Sequence, residues 1–305
     1  MLQDDWQPLA PGDVGVADDQ DRLLEAFRES GPLACTGLVR VVPEHRFFFE
    51  HPLDHLPGTY LLEVGRQLGV VAHRRRGESR ATLPRRFRVS FGAFAEKEGR
   101  LEVTARLAPG AAPDEVEIEF GARQRETLLG EATSAWALSP GPGRAPFDPD
   151  RRPSGAVNEV TRDLVHKRDA ENVFVEWIAR EAPDRFLGRL VARLDHSYFR
   201  PRAEGSLGGL YLIESARQLA EAASHLHFGV PRDHAFAIDS IGIAHVEPAR
   251  LGEPVLMGAR VLEASRRRLH FAFELRQGER SVLVGDGSWC AVPPRLYRRL
   301  RGRAA

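Results

Sequence analysis

Residues 47–69 have the sequence FFFEHPLDHLPGTYLLEVGRQLG, which contains an aromatic run, a loop with two histidines, a Pro-Gly step and the start of an apolar helix. Residues 198–220 have the sequence YFRPRAEGSLGGLYLIESARQLA. The two stretches align without a gap: Glu63 matches Glu214, and every matched pair has the same offset (214 − 63 = 151). So specific a match at one offset predicts two copies of a single structural unit.

Each copy predicts one long helix among several strands. Apolar residues recur at helical spacing from Gly58 onward, Gly77 is a suitable helix end, and a second helix is predicted over 210–228. A short helix is predicted over 18–30. Strands are predicted at 38–42, 45–49, 86–96, 100–108, 115–124, 127–138, 172–177, 189–199, 234–247, 254–264, 269–277 and 281–292. The pattern predicts an α+β fold in which each repeat is a curved antiparallel sheet around a central helix.

Length and composition are those of two ordinary globular domains. The chain has 305 residues, of which 28% are charged and 42% apolar. Residues 139–155, SPGPGRAPFDPDRRPSG, are dense in proline and glycine and predict a linker. We therefore expect an N-terminal arm plus first repeat over 1–138, and a second repeat with a basic, frayed or surface-bound tail over 156–305.

Charge, cysteine content and hydropathy exclude several classes of protein. The formal net charge is zero, so no overall field attracts nucleic acid or an acidic membrane. Cys35 and Cys290 lie far apart in sequence, which argues against a disulfide framework and against a zinc site; no metal and no cofactor are predicted. The N-terminus lacks a signal-peptide pattern, and no apolar run reaches about 18 residues, so a cytoplasmic location is expected.

The order of extended residues, histidine-bearing loop, Pro-Gly and long helix resembles the hotdog fold of acyl-thioester enzymes. More closely, EHPLDHLPGTYLLEVGRQ resembles the signature of the A-factor biosynthesis family, double-hotdog proteins that make γ-butyrolactone signals in actinomycetes. The second half resembles that family in LVHKRDAENVFV, DHSYF, LIESARQLAEAASH and FGVP. The resemblance covers most of 35–295, with the two repeats in swapped order relative to the family.

The resemblance implies an acyltransferase that moves a β-ketoacyl group from an acyl-carrier-protein thioester to a small hydroxylated acceptor such as dihydroxyacetone phosphate. A dehydratase or thioesterase of a polyketide or fatty-acid pathway would use the same histidine and glutamate chemistry. A non-catalytic acyl-binding module is a third alternative. The acyl length, the acceptor and the presence of a homodimer stay open.

Acyl transfer from a thioester to an alcohol requires a polarised carbonyl, a proton acceptor and the exclusion of water. Gly58 is placed where backbone N–H groups at the helix start can polarise the thioester oxygen. Glu63 lies more than one turn into the helix and is a candidate base, because a carboxylate on an apolar face is costly unless it is used or paired. The alternative is that Glu63 pairs with Arg66, and both can hold.

His51 and His55 are both candidates for the base in the loop. Counting back from Pro-Gly places His51 nearest to the histidine of hotdog dehydratases, whereas Asp54 can orient the His55 imidazole. The alternative is that Asp54 and His55 only structure the loop. His45 and His196, which occur at matching positions in both copies, are expected to be structural.

The second copy has lost the histidines of the first: Arg202 stands in place of His51, and Ser206 in place of His55. Since hotdog sites lie between paired repeats, we predict that His51 faces Glu214 in one acid–base site. Arg202 would face Glu63 in a divergent site, as an ion-pair partner or as a cation for phosphate or phosphopantetheine. The residues predicted to bind substrate or to hold the carboxylates are Arg66, Gln67, Gly209, Arg217 and Gln218.

Three basic runs have two interpretations each. They lie at 73–77 (HRRRG), 85–88 (RRFR) and 165–168 (VHKR). They could dock an acidic carrier protein or a substrate phosphate, or they could be solvated surface.

Overall fold

The computed structural model describes residues 5–50, 54–75, 84–109, 115–137, 156–193, 195–199, 207–265 and 267–302. The chain divides into two compact units, Met1–Pro140 and Gly141–Ala305. The predicted linker at 139–155 lies outside the described residues. Within the described ranges, no helix is both long and apolar enough to cross a membrane.

The first unit is an antiparallel sheet with one long helix, α1 (Gly58–Arg75), packed on it. The strands are β1 (Gln7–Pro8), β2 (Leu24–Gly31), β3 (Ala34–Val39), β4 (His55–Leu56), β5 (Arg86–Phe91), β6 (Ala95–Glu96), β7 (Leu101–Pro109), β8 (Glu115–Gln124) and β9 (Thr127–Ala137). The sheet has the order β1-β2-β3-β7-β8-β9-β5, and β4 pairs separately with β6. The helix packs against β2, β3, β7 and β8, and the side chains of Tyr60, Val64 and Leu68 on its buried face are fully enclosed.

The second unit repeats this arrangement around α2 (Gly209–His227) and ends with a further helix, α3 (Pro294–Gly302). Its strands are β10 (Val157–Glu159), β11 (Val175–Ala182), β12 (Arg185–Leu190), β13 (Ala235–His245), β14 (Val255–Ala264), β15 (Arg268–Gln277) and β16 (Arg280–Val292). Their order is β13-β16-β15-β14-β12-β11-β10, so each strand of the first sheet has a counterpart. The predicted duplication is therefore confirmed in three dimensions.

Several predictions in the first unit differ from the structure: the predicted strand 38–42 ends at Val39, and the predicted strand 86–96 is interrupted after Phe91. Residues 18–30 do not form a helix, because Asp19–Asp21 is a short 3₁₀ turn and β2 follows it, paired on both edges by β1 and β3. Strand pairing overrides the helix-forming residues in this segment. Residues 45–49 form turns instead of a strand, since the Phe48 ring is buried edge-on against Tyr60 of α1, with 5.0 Å between ring centroids.

The second unit refines the predictions for one strand and for the C-terminal tail. The predicted strand 189–199 is strand only as far as Leu190, the end of β12. The tail predicted to be frayed or surface-bound forms α3 through residue 302. Two glycines within β16 serve close approach: a Cβ at Gly285 would lie 2.4 Å from the Gly242 carbonyl oxygen, and one at Gly287 2.3 Å from Trp289 Cη2.

Gly69 lies where α1 passes over the buried indole of Trp136. A Cβ at Gly69 would lie 2.5 Å from Trp136 Cζ2, whereas a Cβ at Gly65 would meet only Phe120 Cδ1 at 4.0 Å. Trp136 is also fixed by its hydrogen bond to Ser134 Oγ (2.6 Å). We expect Gly69→Ala to lower the free energy of unfolding by about 1–3 kcal/mol through overpacking.

The matched control is Gly65→Ala on the same helix, which should be neutral or stabilising by up to about 1 kcal/mol, because alanine has the better helix propensity. Scanning calorimetry of both variants measures the difference. Equal thermal midpoints would contradict the close contact at Gly69.

Candidate functional site

The Glu63 carboxylate is buried on α1 and held by two neighbours on the same helix. Arg66 donates from Nε to Oε2 (2.8 Å) and from Nη2 to Oε1 (2.6 Å), a bidentate pair. Gln67 Nε2 donates to the same Oε1 at 3.0 Å. The contacts confirm the alternative in which Glu63 pairs with Arg66.

Gln67 connects this pair to the chain segment that leads into β2. Its side chain is fully buried; Nε2 donates to the carbonyl oxygen of Asp21 (2.8 Å), and Oε1 accepts from the Leu23 amide (2.9 Å). The side-chain amide thus bonds a backbone donor and a backbone acceptor on one side and the Glu63 carboxylate on the other. We call this Glu-Arg-Gln arrangement the helix clamp.

The second unit contains the same helix clamp. Arg217 donates to both carboxylate oxygens of Glu214 at 2.8 and 2.7 Å, and Gln218 Nε2 donates to Oε1 at 3.0 Å. Gln218 Nε2 also donates to the Asn172 carbonyl (2.7 Å), and its Oε1 accepts from the Phe174 amide (2.8 Å). Each bond has its counterpart 151 residues earlier, so Glu, Arg and Gln recur in both copies because the same packing requires them.

The paired histidines of the two units are structural, as expected. His45 Nδ1 accepts a hydrogen bond from the Phe47 amide at 3.2 Å. His196 Nδ1 accepts from the Tyr198 amide at 3.0 Å, and its Nε2 lies 2.8 Å from Asn172 Oδ1. Both rings are buried and organise the turn that follows them.

The second unit adds charged partners to its helix clamp. Lys167 Nζ lies 3.1 Å from Glu214 Oε1, and Arg217 also donates from Nη1 to Glu221 Oε2 at 2.6 Å. The remaining oxygen of Glu221 lies 2.8 Å from His166 Nδ1. The result is a buried network with two carboxylates, one guanidinium, one lysine side chain and one imidazole.

The interpretation of the basic run at 165–168 as solvated surface was wrong for its central residues. His166 and Lys167 are ion-pair partners of buried carboxylates, and Lys167 is itself buried. The sequence did contain a signal for this network. Glu214 and Glu221 are seven residues apart on one apolar face of a helix, and Arg217 is the one basic residue between them. Two buried carboxylates with one arginine require further cations from elsewhere in the chain.

The network keeps both carboxylates ionised. Burial alone raises the pKa of Glu214, but the charges of Arg217 and Lys167 outweigh burial and hold that pKa well below its ordinary value. For Glu221, burial likewise raises the pKa, whereas Arg217 and His166 lower it to about 2. Burial lowers the pKa of His166, but the hydrogen bond to Glu221, the charge of Glu221 and the hydrogen bond to the Arg232 carbonyl together outweigh burial, and the pKa is raised.

The start of α1 brings a histidine next to a helix end. His55 lies in β4, is buried, and has its ring centroid 4.6 Å from that of Phe94. Pro57 follows β4 at once, and its carbonyl accepts from the Tyr60 amide (2.9 Å), so that α1 begins at Gly58 as predicted. His55 and the N–H groups of the first helical turn are therefore neighbours along the chain.

The start of α2 is similar. Gly208 is the cap residue and has no side chain that could accept a capping hydrogen bond from the helix, and a Cβ there would have no atom of the described residues within 4 Å. Gly209 is the first helical residue, one position before the predicted start of this helix. His51 and Arg202 lie outside the described residues, as does Ser206.

Comparisons with known proteins identify relatives of both units. The model of the A-factor biosynthesis hotdog domain matches residues 2–139 and 150–293. A 2-oxo-3-(phosphooxy)propyl 3-oxoalkanoate synthase of Streptomyces griseus is 26% identical over 155 residues, 48% of this chain and 52% of the relative. A synthase of the same name from Streptomyces virginiae is 33% identical over 123 residues, 40% of this chain and 39% of the relative. The chain thus spans about half the length of the curated relatives it matches, or less.

Solved structures resemble the chain over most of its length. The dehydratase domain of RzxB from Pseudomonas fluorescens has a TM-score of 0.58 at 14% identity, covering 89% of this chain and 99% of that domain. The dehydratase domain of a mycocerosic acid synthase-like polyketide synthase has a TM-score of 0.60 at 13% identity, covering 91% and 98%. At these identities the likeness concerns the fold alone, and it confirms the predicted double hotdog.

Glu214→Gln tests the charge in the second helix clamp. The substitution leaves Arg217 and Lys167 without their shared anion, and near neutral pH it should lower the free energy of unfolding by about 3 kcal/mol. Because the pKa of Glu214 is lower in the folded than in the unfolded chain, its contribution is complete above the unfolded pKa and is lost as the pH falls toward the folded pKa. The difference between wild type and variant should be constant above about pH 5 and shrink below it.

Urea denaturation over a pH series measures this difference. The control is Glu176→Gln, an exposed glutamate of the same unit, which should change the free energy of unfolding by less than about 0.5 kcal/mol. A wild-type-to-variant difference for Glu214→Gln that does not depend on pH would contradict the ionised network.

Proposed function

Because this chain belongs to the A-factor biosynthesis hotdog family, we propose that it is an acyltransferase. It moves a β-ketoacyl group from an acyl-carrier-protein thioester to the hydroxyl group of a small acceptor such as dihydroxyacetone phosphate. The name of the Streptomyces relatives describes an ester of a 3-oxoalkanoic acid with a three-carbon ketone that carries a phosphate. Their product therefore contains the acyl group and the phosphorylated alcohol of the proposed reaction, which supports both substrate classes.

The observation that carries the proposal is the position of His55 three residues before Gly58, the glycine that starts α1. A thioester oxygen at this helix end would accept hydrogen bonds from the N–H groups of Gly58 and Thr59, since those of Tyr60 and Leu61 donate to the Pro57 carbonyl. Each such donor is typically worth about 3 kcal/mol in the transition state. The glycine also allows the acyl group to approach the backbone closely.

In the proposed reaction, His51 or His55 removes the proton from the hydroxyl group of the acceptor. The alkoxide oxygen attacks the thioester carbon, and the helix end stabilises the negative charge that develops on the carbonyl oxygen. The tetrahedral intermediate then collapses, the C–S bond breaks, and the protonated histidine returns its proton to the leaving thiolate. One ester and one free thiol result, with no change in oxidation state.

The two helix clamps support this chemistry indirectly. Glu63 and Glu214 serve as fixed negative charges, and the arginine and glutamine beside each of them hold the start of the helix in place. In the second unit we assign Arg202 and the helix start at Gly209 to binding of a phosphate or the phosphopantetheine arm, because a helix N-terminus and an arginine both favour an anion.

A product assay separates the proposed reaction from its alternatives. The full chain is incubated with a β-ketoacyl thioester on acyl carrier protein, with and without dihydroxyacetone phosphate, and products are identified by mass spectrometry. An ester formed only with the acceptor supports the proposal. Free acid formed without acceptor would indicate a thioesterase. An enoyl product in a parallel incubation with a β-hydroxyacyl thioester would indicate a dehydratase. Acyl binding without turnover would indicate a binding module.

Single substitutions then assign the base. His51→Asn and His55→Asn are compared: loss of the catalytic base should lower kcat by about 10²–10⁴-fold, while the other substitution leaves kcat near wild type. Thermal midpoints are measured alongside, since His55 is buried. Full activity in both variants would contradict a histidine base, and equal losses of activity in Glu63→Gln and Glu214→Gln would contradict a single catalytic centre.

A further inference from the structure

Three side chains of the second unit bring metal-binding atoms together outside the residues assigned to acyl transfer. His166, Glu221 and His225 each offer one such atom, and these atoms all lie within 4.8 Å of one another. Glu221 and His225 are four residues apart on α2 and so project from the same face of the helix. His166 comes from the loop after the 3₁₀ turn Arg162–Leu164 and has a left-handed backbone, with φ of 50°.

The outer nitrogen of each imidazole faces a backbone carbonyl. His166 Nε2 lies 2.7 Å from the carbonyl oxygen of Arg232, and His225 Nδ1 lies 2.9 Å from that of Val230. A carbonyl oxygen can only accept, so each of these nitrogens carries the hydrogen. In the neutral rings this leaves the lone pairs on His166 Nδ1 and His225 Nε2. Histidines that bind metals are oriented in this way, with the second nitrogen donating to a carbonyl or carboxylate.

The inner atoms are incompletely satisfied without a further ligand. His166 Nδ1 lies 2.8 Å from Glu221 Oε1, so a second proton on His166 would satisfy that pair. That proton would not provide a partner for His225 Nε2, which is buried and has no hydrogen-bond partner in the described part of the chain. A cation between the three side chains would satisfy all of them, while Glu221 Oε2 keeps its hydrogen bond from Arg217 (2.6 Å).

We propose that His166, Glu221 and His225 form a binding site for a divalent transition-metal cation of the zinc class. Two imidazole nitrogens and one carboxylate oxygen are a donor set that zinc accepts, with a fourth position for water or a substrate oxygen. Donors around a tetrahedral zinc lie about 3.3 Å apart at ordinary bond lengths. Adjusting the present separations to that value requires side-chain movements on the order of 1 Å. This inference holds whether or not the chain transfers acyl groups.

The first unit supports the inference by contrast. Its equivalents, 151 positions earlier, are Gly15, Val70 and Arg74, none of which is a zinc ligand. Gly15 has the same left-handed backbone as its counterpart, with φ of 71°, and Arg74 donates to the carbonyl of Gly12 instead. Three positions that meet in space are thus non-ligands in one unit and ligands in the other.

Metal titration of the full chain tests the proposal directly. Protein stripped with a chelator is titrated with Zn²⁺ by calorimetry and with Co²⁺ by visible absorption. We expect one equivalent per chain, a Co²⁺ spectrum of a four-coordinate site that Zn²⁺ abolishes, and no competition from Mg²⁺, which prefers oxygen ligands. Zn²⁺ should also raise the thermal midpoint of the wild-type chain, a measurement that requires no variant.

Two variants and a matched control locate the ion. His166→Gly restores the residue that the first unit has at this left-handed position, so it removes a ligand without backbone strain, and His225→Gln removes a second ligand. Each should weaken binding at least 100-fold. The control is His227→Gln on the same helix: its Nε2 is also buried and without a hydrogen-bond partner among the described residues, but its ring packs against Phe186. The control should bind as wild type does.

The remaining outcomes overturn the proposal. If the wild-type chain does not bind Zn²⁺ stoichiometrically, the cluster is not a metal site, and His166 and Glu221 only share a hydrogen bond. Binding that survives in both ligand variants, or that is lost in His227→Gln, would place the ion on other histidines.

Discussion

Each half of this protein depends on one buried glutamine whose side-chain nitrogen donates two hydrogen bonds and whose oxygen accepts one. Gln67 and Gln218 each join a helix, a neighbouring carboxylate and the backbone just before a strand. A side chain at this point that lacked either the donor or the acceptor would leave a backbone group or a carboxylate unsatisfied in the interior, at about 1–3 kcal/mol for each group. These hydrogen bonds tie each helix to the segment that leads into a neighbouring strand.

The offset of 151 residues proved the most informative feature of the sequence. It predicted the duplication and both long helices, because helical periodicity and aligned motifs are local properties of the chain. It could not predict the turn at 45–49, where Phe47 and Phe48 are buried and the rings of Phe48 and Phe49 contact Tyr60 at the helix start. It also missed β2, whose helix-forming residues become a strand only because partners on both edges supply hydrogen bonds.

The candidate site was predictable in its residue types and less so in their partners. A glutamate followed by an arginine one helical turn later predicts an ion pair. Glu63 pairs with Arg66, and Glu214 pairs with Arg217. Lys167 and His166 are separated in sequence from the carboxylates that they contact by about fifty residues, so local patterning assigns them to a surface run. The two carboxylates and the single arginine on the buried face of α2 leave a net negative charge. Only this charge imbalance predicts that further cations lie in the interior.

Position 166 shows what doubling a gene permits. A residue with a β-carbon in a left-handed backbone costs about 1 kcal/mol, and the earlier copy avoids this cost by keeping glycine at position 15. The later copy accepts it, and the imidazole gained there makes two contacts that a glycine cannot make. With two copies, one loop has an unstrained glycine while the other has a strained histidine that contacts Glu221 and the Arg232 carbonyl. A single copy could have only one of these two residues.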